Sequence, residues 1–313
     1  MLTQIHPPLA PGKFIDPVRT ATGEPRAAVD FRGYETLWFN TGSLCNIECV
    51  NCYIESSPKA DHLVYLTLDD VLPYLDELGS PIEIGLTGGE PFLNPHCLAI
   101  CDAALERGHS LLILTNAMRP MMRPRVQAGL LELQARFPGK ITVRVSLDHH
   151  SAPGHDAERG AGAFARALPG LDWLSQHGFT THIAGRAAFA DGEAQARAGY
   201  GALIEARGWT IDARDPAALM LFPEMDARVD VPEISTSCWD ILSVNPASMM
   251  CASSRMVVRR KGAGAPVALA CTLLWDDPQF EMGRTLADAA RPVALNHPHC
   301  ARFCVLGGAS CSA

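Results

Sequence analysis

The chain has 313 residues, 48% of them hydrophobic and 19% charged, with a formal net charge of −8, so it holds enough apolar residues for one barrel-sized domain plus an appendage. The acidic balance argues against a nucleic-acid partner, whose phosphates call for a basic stripe, and no apolar run reaches the about 18 residues needed to span a membrane. The opening MLTQIHPPLAPGKF has no apolar signal core, which leads us to expect a soluble cytoplasmic protein with no membrane partner.

Residues 1–33 are rich in Pro, Gly and Ala and read as an irregular N-terminal segment. Strands and helices then alternate. YETLWFN (34–40) reads as a strand leading into a cysteine-bearing loop, and LTLDDVLPYLDEL carries a helical stripe closed by Gly79, with Pro73 inside it. IEIGLTGGEP (82–91) reads as a strand ending in glycines, followed by a helix near 96–107 and the strand LLILTNA (111–117). A helix near 125–136 precedes ITVRVSLD (141–148), one near 163–177 precedes TTHIAGR (180–186), and one near 192–206 precedes WTIDA (209–213).

Such alternation predicts a parallel sheet covered by helices, closing partly into a barrel with its chemistry at the C-terminal strand ends. The polar and special residues follow that rule: the cysteine loop, Gly88-Gly89-Glu90, Asn116, Ser146 with Asp148, and Arg186 each follow or end a strand. The expected fold is α/β, a partial (βα)6 TIM-like barrel over 34–222, then a linker at 223–237 and a small cysteine-rich domain at 238–313.

Eleven cysteines in a cytoplasmic chain point to metal or cluster ligands rather than disulfides. Cys97 and Cys101 stand four apart in an apolar helical stretch and read as small buried hydrophobes. Cys45, Cys49 and Cys52 form C-x3-C-x2-C, which suits three irons of a [4Fe–4S] cluster and leaves the fourth iron open. Zinc is the competing reading, but a structural zinc site calls for four ligands in closed pairs.

The cysteine loop after the first strand, with TGGEP after the second, resembles the radical S-adenosylmethionine (SAM) superfamily. That resemblance implies that SAM chelates the open iron, and that the reduced cluster cleaves SAM to a 5′-deoxyadenosyl radical that abstracts hydrogen from substrate. It also implies that Gly88, Gly89 and Glu90 orient the methionine part of SAM. SLDHHSAPGHDAERGAGAF (146–164) resembles the molybdenum-cofactor-cyclase and sulfatase-maturase subgroup. By that likeness Ser146 and Asp148 lie near the SAM ribose or substrate, Asn116 near the adenosine side, and Arg186 can pair with the SAM carboxylate. The family often has an aromatic residue just before the third cysteine. Here that position is Asn51 and Tyr53 follows Cys52, so an altered adenine contact is expected. His149, His150 and His155 lie in a Pro- and Gly-containing stretch without matched carboxylates and are not read as a metal site.

Cys238, Cys251, Cys271, Cys300, Cys304 and Cys311 resemble a SPASM or shorter Twitch extension, which implies auxiliary [4Fe–4S] binding, as one cluster with four of the six as ligands or as two clusters with open irons. A zinc-stabilised cap, using His297 and His299 beside Cys300, is the alternative. The chain is therefore expected to be an oxygen-sensitive radical SAM enzyme acting on a small molecule or a peptide. Its electron donor would be a flavodoxin or ferredoxin. A non-catalytic iron–sulfur or zinc protein for electron transfer or sensing is the competing class.

Overall fold

The computed structural model describes residues 7–187, 192–223 and 226–308. The chain folds as two compact units: 34–222 with 255–289, and 1–33 with 223–254 and 290–313.

The larger unit is built on six strands, β1 Thr36–Asn40, β2 Glu83–Thr87, β3 Ser110–Thr115, β4 Ile141–Ser146, β5 Thr180–Arg186 and β6 Leu219–Phe222. Neighbours pair in parallel and in chain order. Helices α1 Leu68–Glu77, α2 Cys97–Glu106, α3 Pro124–Arg136, α4 Ala152–Arg159, α5 Ala163–Gln176 and α6 Gly192–Arg207 fill the connections. Three further strands, β7 Ser254–Val258, β8 Val267–Leu269 and β9 Glu281–Gly283, extend the sheet beyond β1 in the order β9-β8-β7-β1-β2-β3-β4-β5-β6. The order runs from one edge to the other without returning, so this is the expected partial barrel.

Local chemistry explains the elements. β1, TLWFN, is buried at every position, as expected for a central parallel strand covered on both faces. Thr67 caps α1 through a reciprocal pair with Asp70, which removes two unsatisfied backbone donors at the helix start. The helix continues through Pro73, because Val71, Tyr74 and Leu75 bury a stripe that outweighs the missing hydrogen bond. Cys97 and Cys101 lie buried in the apolar core, as their spacing suggested.

Three expectations change. WTIDA is not a strand: Trp209 and Ile211 are buried, which produced the alternating pattern, but Asp212–Asp215 turn at once and β6 begins at Leu219. A helix absent from the sequence reading, α4, occupies 152–159 and carries His155, while His149 and His150 precede it. The cysteine-rich C-terminal stretch is divided, since 255–289 joins the barrel unit.

In the smaller unit the residues read as a linker are packed. Val231 and Ile234 are buried, and the Ile234 carbonyl accepts from the Ala27 amide at 2.8 Å. Ala28–Val29 pairs antiparallel with Val293–Ala294. Arg26, buried, donates to Glu233 and to the Asp16, Arg19 and Leu295 carbonyls, which ties the N-terminal segment down. Cys238, at the start of α7 Cys238–Leu242, belongs to this unit with Cys251, Cys300 and Cys304. Cys271 belongs to the barrel unit, and Cys311 lies outside the described residues.

Gly85 in β2 faces the Trp38 indole, and a Cβ there would stand 2.3–2.7 Å from three ring atoms. Gly85→Ala is expected to destabilise the protein by about 1–3 kcal/mol through overpacking. Urea unfolding measures this, and an unchanged midpoint would contradict it.

Candidate active site

The cysteine loop is held by backbone contacts. The Ser43 amide donates to the Leu63 carbonyl at 2.9 Å, and the Cys45 amide to the Ser57 carbonyl at 3.0 Å. The turn after β2 docks directly on the loop: Gly89 N–H donates to the Gly42 carbonyl at 2.8 Å and Glu90 N–H to the Leu44 carbonyl at 3.2 Å. A Cβ on Gly88 would stand 2.6 Å from the Gly42 oxygen, and one on Gly89 would stand 2.3 Å from the Leu44 oxygen. Gly88 also sits at φ +131°, a conformation that other residues rarely adopt. The two glycines thus let two backbone segments touch, rather than simply opening space for a ligand.

Glu90 is buried and its carboxylate is fully engaged. It accepts from Thr115 Oγ1 at 2.9 and 3.0 Å, from the Asn116 amide at 2.9 Å and from the Phe92 amide at 3.3 Å. Burial pushes its pKa up to about 7, against the pull of these bonds. The carboxylate thus ties the tips of β2 and β3 together. Asn116 continues the chain of contacts. Its Nδ2 donates to Asn46 Oδ1 at 2.9 Å and lies 3.9 Å from Cys45 Sγ.

Cys45 is buried, and burial pushes its thiol up to about 12. Burial also raises the Cys49 thiol, which the Arg159 charge opposes. The Ser56 amide points at Cys52 Sγ at 3.3 Å. Among the described residues no three Cys, His, Asp or Glu side chains form a group able to hold one metal ion. A cubane gives each thiolate its own iron, so its ligands do not have to meet at a point. An all-sulfur donor set on one loop, with a backbone amide aimed at one sulfur, fits such a cluster.

On the other side of the loop stand residues from β4, α4 and β5. Asp148, buried, takes two hydrogen bonds from Arg159, 2.6 Å from Nε and 3.2 Å from Nη2. Arg186 Nε lies 3.6 Å from the same carboxylate. Burial raises the Asp148 pKa, but Arg159 and Arg186 more than reverse this and leave it below the ordinary value. Arg186 also donates to the Asn51 carbonyl at 2.8 Å and covers the Tyr53 ring at 5.6 Å. Asn51 Nδ2 donates to Glu158 at 2.9 Å, and the Val50 amide to the Glu158 carbonyl at 2.9 Å. Asn51, which replaces the family's aromatic residue, is thus part of the loop's anchorage to α4. Trp275 stacks on His62 at 4.2 Å and donates to the Tyr53 carbonyl at 2.9 Å. Ser146 ends β4, partly exposed.

The two histidines after Asp148 fill notches left by glycines. A Cβ on Gly154 would meet the His149 ring at 2.4 Å, and one on Gly199 the His150 ring at 2.4 Å. The two rings stack at 4.0 Å. The sequence reading missed Arg159 and Glu158. The signal for them was the i, i+3 and i, i+4 spacing from His155 in HDAER, legible only once α4 is known to be a helix.

Residues 39–190 match the model of the Radical SAM superfamily. The chain is 33% identical over 143 residues to the antilisterial bacteriocin subtilosin biosynthesis protein AlbA of Bacillus subtilis (strain 168), covering 45% of this chain and 30% of that protein. It is 32% identical over 137 residues to the mycofactocin maturase MftC of Mycobacterium ulcerans (strain Agy99), covering 43% and 35%. The chain thus matches about a third of the length of these relatives. Streptococcus suis SuiB bound to S-adenosylmethionine shares the fold, with a TM-score of 0.57 at 11% identity over 80% of this chain and 63% of that one. Residues 39–190, just under half of the chain, thus carry the likeness to the radical SAM superfamily, a family that uses a [4Fe–4S] cluster and SAM. No helix among the described residues is long and apolar enough to cross a membrane.

His155 is buried in α4, and its Nδ1 accepts from the Asp148 amide at 3.1 Å, which assigns the ring proton to Nε2. Burial, then the Arg159 charge, lowers its pKa from 6.5 to about 4. The unfolded chain therefore binds more protons between these values, and stability falls as pH drops from 6.5 to about 4. The loss is on the order of 3 kcal/mol. Urea unfolding of wild type and His155→Gln at pH 4.5 and 7 should show a smaller pH-dependent loss in the variant. Equal losses would remove His155 as the cause.

Proposed function

We propose that this protein is a radical SAM enzyme that cleaves S-adenosylmethionine and abstracts hydrogen from a peptide substrate. The observation that carries the reading is the three-cysteine loop packed backbone to backbone against the Gly88–Gly89 turn, at the C-terminal ends of adjacent parallel strands. Cys45, Cys49 and Cys52 hold the [4Fe–4S] cluster. When bound, cluster and SAM supply one-electron cleavage of SAM and a carbon radical able to take hydrogen from an unactivated position. The chain itself keeps the loop in shape. Gly88 and Gly89 hold it from one side, and Glu90 and Asn116 fix the strand tips beneath it. Arg186 and Tyr53 border the loop on the other side, with Ser146 at the β4 end open to a bound nucleoside and Asp148 beside it held by Arg159 and Arg186. A low-potential donor of the flavodoxin or ferredoxin class supplies the electron.

The peptide substrate is supported by the relatives, one a biosynthesis protein for a bacteriocin and one a maturase. SuiB has been solved bound to its precursor peptide SuiA. Cys238, Cys251, Cys300 and Cys304 fall in one compact unit, which supports them as the four ligands of an auxiliary cluster.

Anaerobic reconstitution with iron and sulfide, reduction with dithionite and addition of SAM should yield 5′-deoxyadenosine, measured by mass spectrometry. Cys45→Ala should fall to the background without protein. A cluster-loaded wild type that binds SAM and never cleaves it, with or without substrate, would move the protein to the electron-transfer or sensing class. With a short precursor peptide encoded beside the gene added, the deoxyadenosine yield should rise and the peptide mass should change. An unchanged peptide beside a consumed small metabolite would overturn the peptide assignment.

A further inference from the structure

We propose that Glu158 is a positioning residue of the cysteine loop, acting with Asn51: together they keep in shape the turn between Cys49 and Cys52 and so determine how firmly the loop keeps its iron–sulfur cluster. This rests on the cluster reading above and extends it to a residue that neither the family match nor the motifs assign.

Val50 and Asn51 stand between the second and third cysteines, and burial does not hold them. Val50 is 73% exposed, and Asn51 is exposed as well. Among the described residues their hydrogen bonds run to Glu158 and Arg186. The Val50 amide donates to the Glu158 carbonyl at 2.9 Å, and Asn51 Nδ2 donates to the Glu158 carboxylate at 2.9 Å. Arg186 Nη2 donates to the Asn51 carbonyl at 2.8 Å. Arg186 Nη1 lies 3.8 Å from the same Glu158 oxygen, which closes a ring of Asn51, Glu158 and Arg186. The Cys45 end of the loop is fixed differently, by main-chain contacts from Cys45 to Ser57 and from Leu44 to Glu90. The turn between Cys49 and Cys52 therefore depends on one residue of α4 in a way that the rest of the loop does not.

Glu158 can impose a shape because its helix is tied on several sides. His155 Nδ1 accepts from the Asp148 amide at 3.1 Å, and Arg159 donates twice to the Asp148 carboxylate. Asp156 accepts from the Gly162 and Phe164 amides at 2.7 and 2.8 Å, which joins α4 to the start of α5. Asp148 and Glu158 match Arg159 and Arg186 charge for charge, so the group gives the loop geometry and not a net charge. An amide N–H on a carboxylate is a charge-assisted bond, stronger than one between neutral groups. Asparagine supplies that donor, whereas an aromatic ring such as that of phenylalanine at this position would have none for Glu158.

The test is the rate at which an iron chelator strips the anaerobically reconstituted full chain. A variant with Cys45, Cys49 and Cys52 all replaced by Ala shows which part of the iron belongs to this site. If that variant keeps the full wild-type iron content, the cluster reading fails and this proposal with it, an outcome distinct from those below. Asn51→Ala and Glu158→Ala should each lose this iron about tenfold faster than wild type, the size expected for a lost hydrogen bond to a charged group. The double Ala variant should be no faster than the quicker single one, because both changes remove the same interaction. Asn51→Asp, which sets two carboxylates against each other, should be faster than Asn51→Ala. Asn51→Asp/Glu158→Gln reverses donor and acceptor at the same total charge and should return to within about threefold of wild type. A wild-type rate in either single Ala variant overturns the proposal. So does a double variant whose two effects multiply, or a reversed pair no better than Asn51→Asp. If either Ala variant takes up no cluster, the reversed pair decides: uptake supports the pairing, and failure overturns it.

Discussion

The site depends on a contact between two pieces of main chain. Gly88 and Gly89 lie so close to Gly42 and Leu44 that a single methyl group on either glycine would overlap a carbonyl oxygen. Through that contact the loop bearing Cys45, Cys49 and Cys52 is fixed to the tip of the neighbouring strand, and the parallel register of β1 and β2 sets where the contact falls. Glu90 extends it to β3 through Thr115 and Asn116, and Asn116 returns to the cysteine loop at Asn46. Side chains then do what a rigid support allows: they border the thiols, bring charge near them and exclude water.

Much of the barrel was legible because buried parallel strands announce themselves. TLWFN, LLIL and ITVRV are apolar runs of strand length separated by helical stripes, and each became a strand at nearly its expected bounds. WTIDA misled because buried Trp209 and Ile211 imitate strand alternation, while a turn at Asp212 ends the segment. The helix α4 was hidden by Pro153 and Gly154. Proline is tolerated in a first turn, and the glycine is there because the His149 ring occupies the space a Cβ would need.

The cysteine spacing and TGGEP pointed to the loop and the turn that the fold packs together, but not to how they are held. Sequence reading gives Glu90 to the methionine part of SAM by resemblance and sees none of its partners within the chain. The fold turns it inward onto two strands, because a buried carboxylate needs donors and Thr115 and Asn116 supply them. The same limit hid Arg159 and Glu158, whose partners lie across the chain at Asp148, Val50 and Asn51. Pairings of this kind follow from packing, and local pattern carries no trace of them. The division of the C-terminal cysteines between two units was likewise beyond reach, since composition groups them by sequence position and not by contact.

The anchors of the cysteine loop also have an order in time. Its amides and carbonyls are held by Glu158, Arg186 and Trp275, residues about a hundred to more than two hundred positions further along the chain. A growing polypeptide emerges with its three thiols long before any of these partners exists, and contacts between such distant residues form late in folding. The shaped cysteine loop is therefore a product of the finished barrel, complete only after most of the chain has left the ribosome.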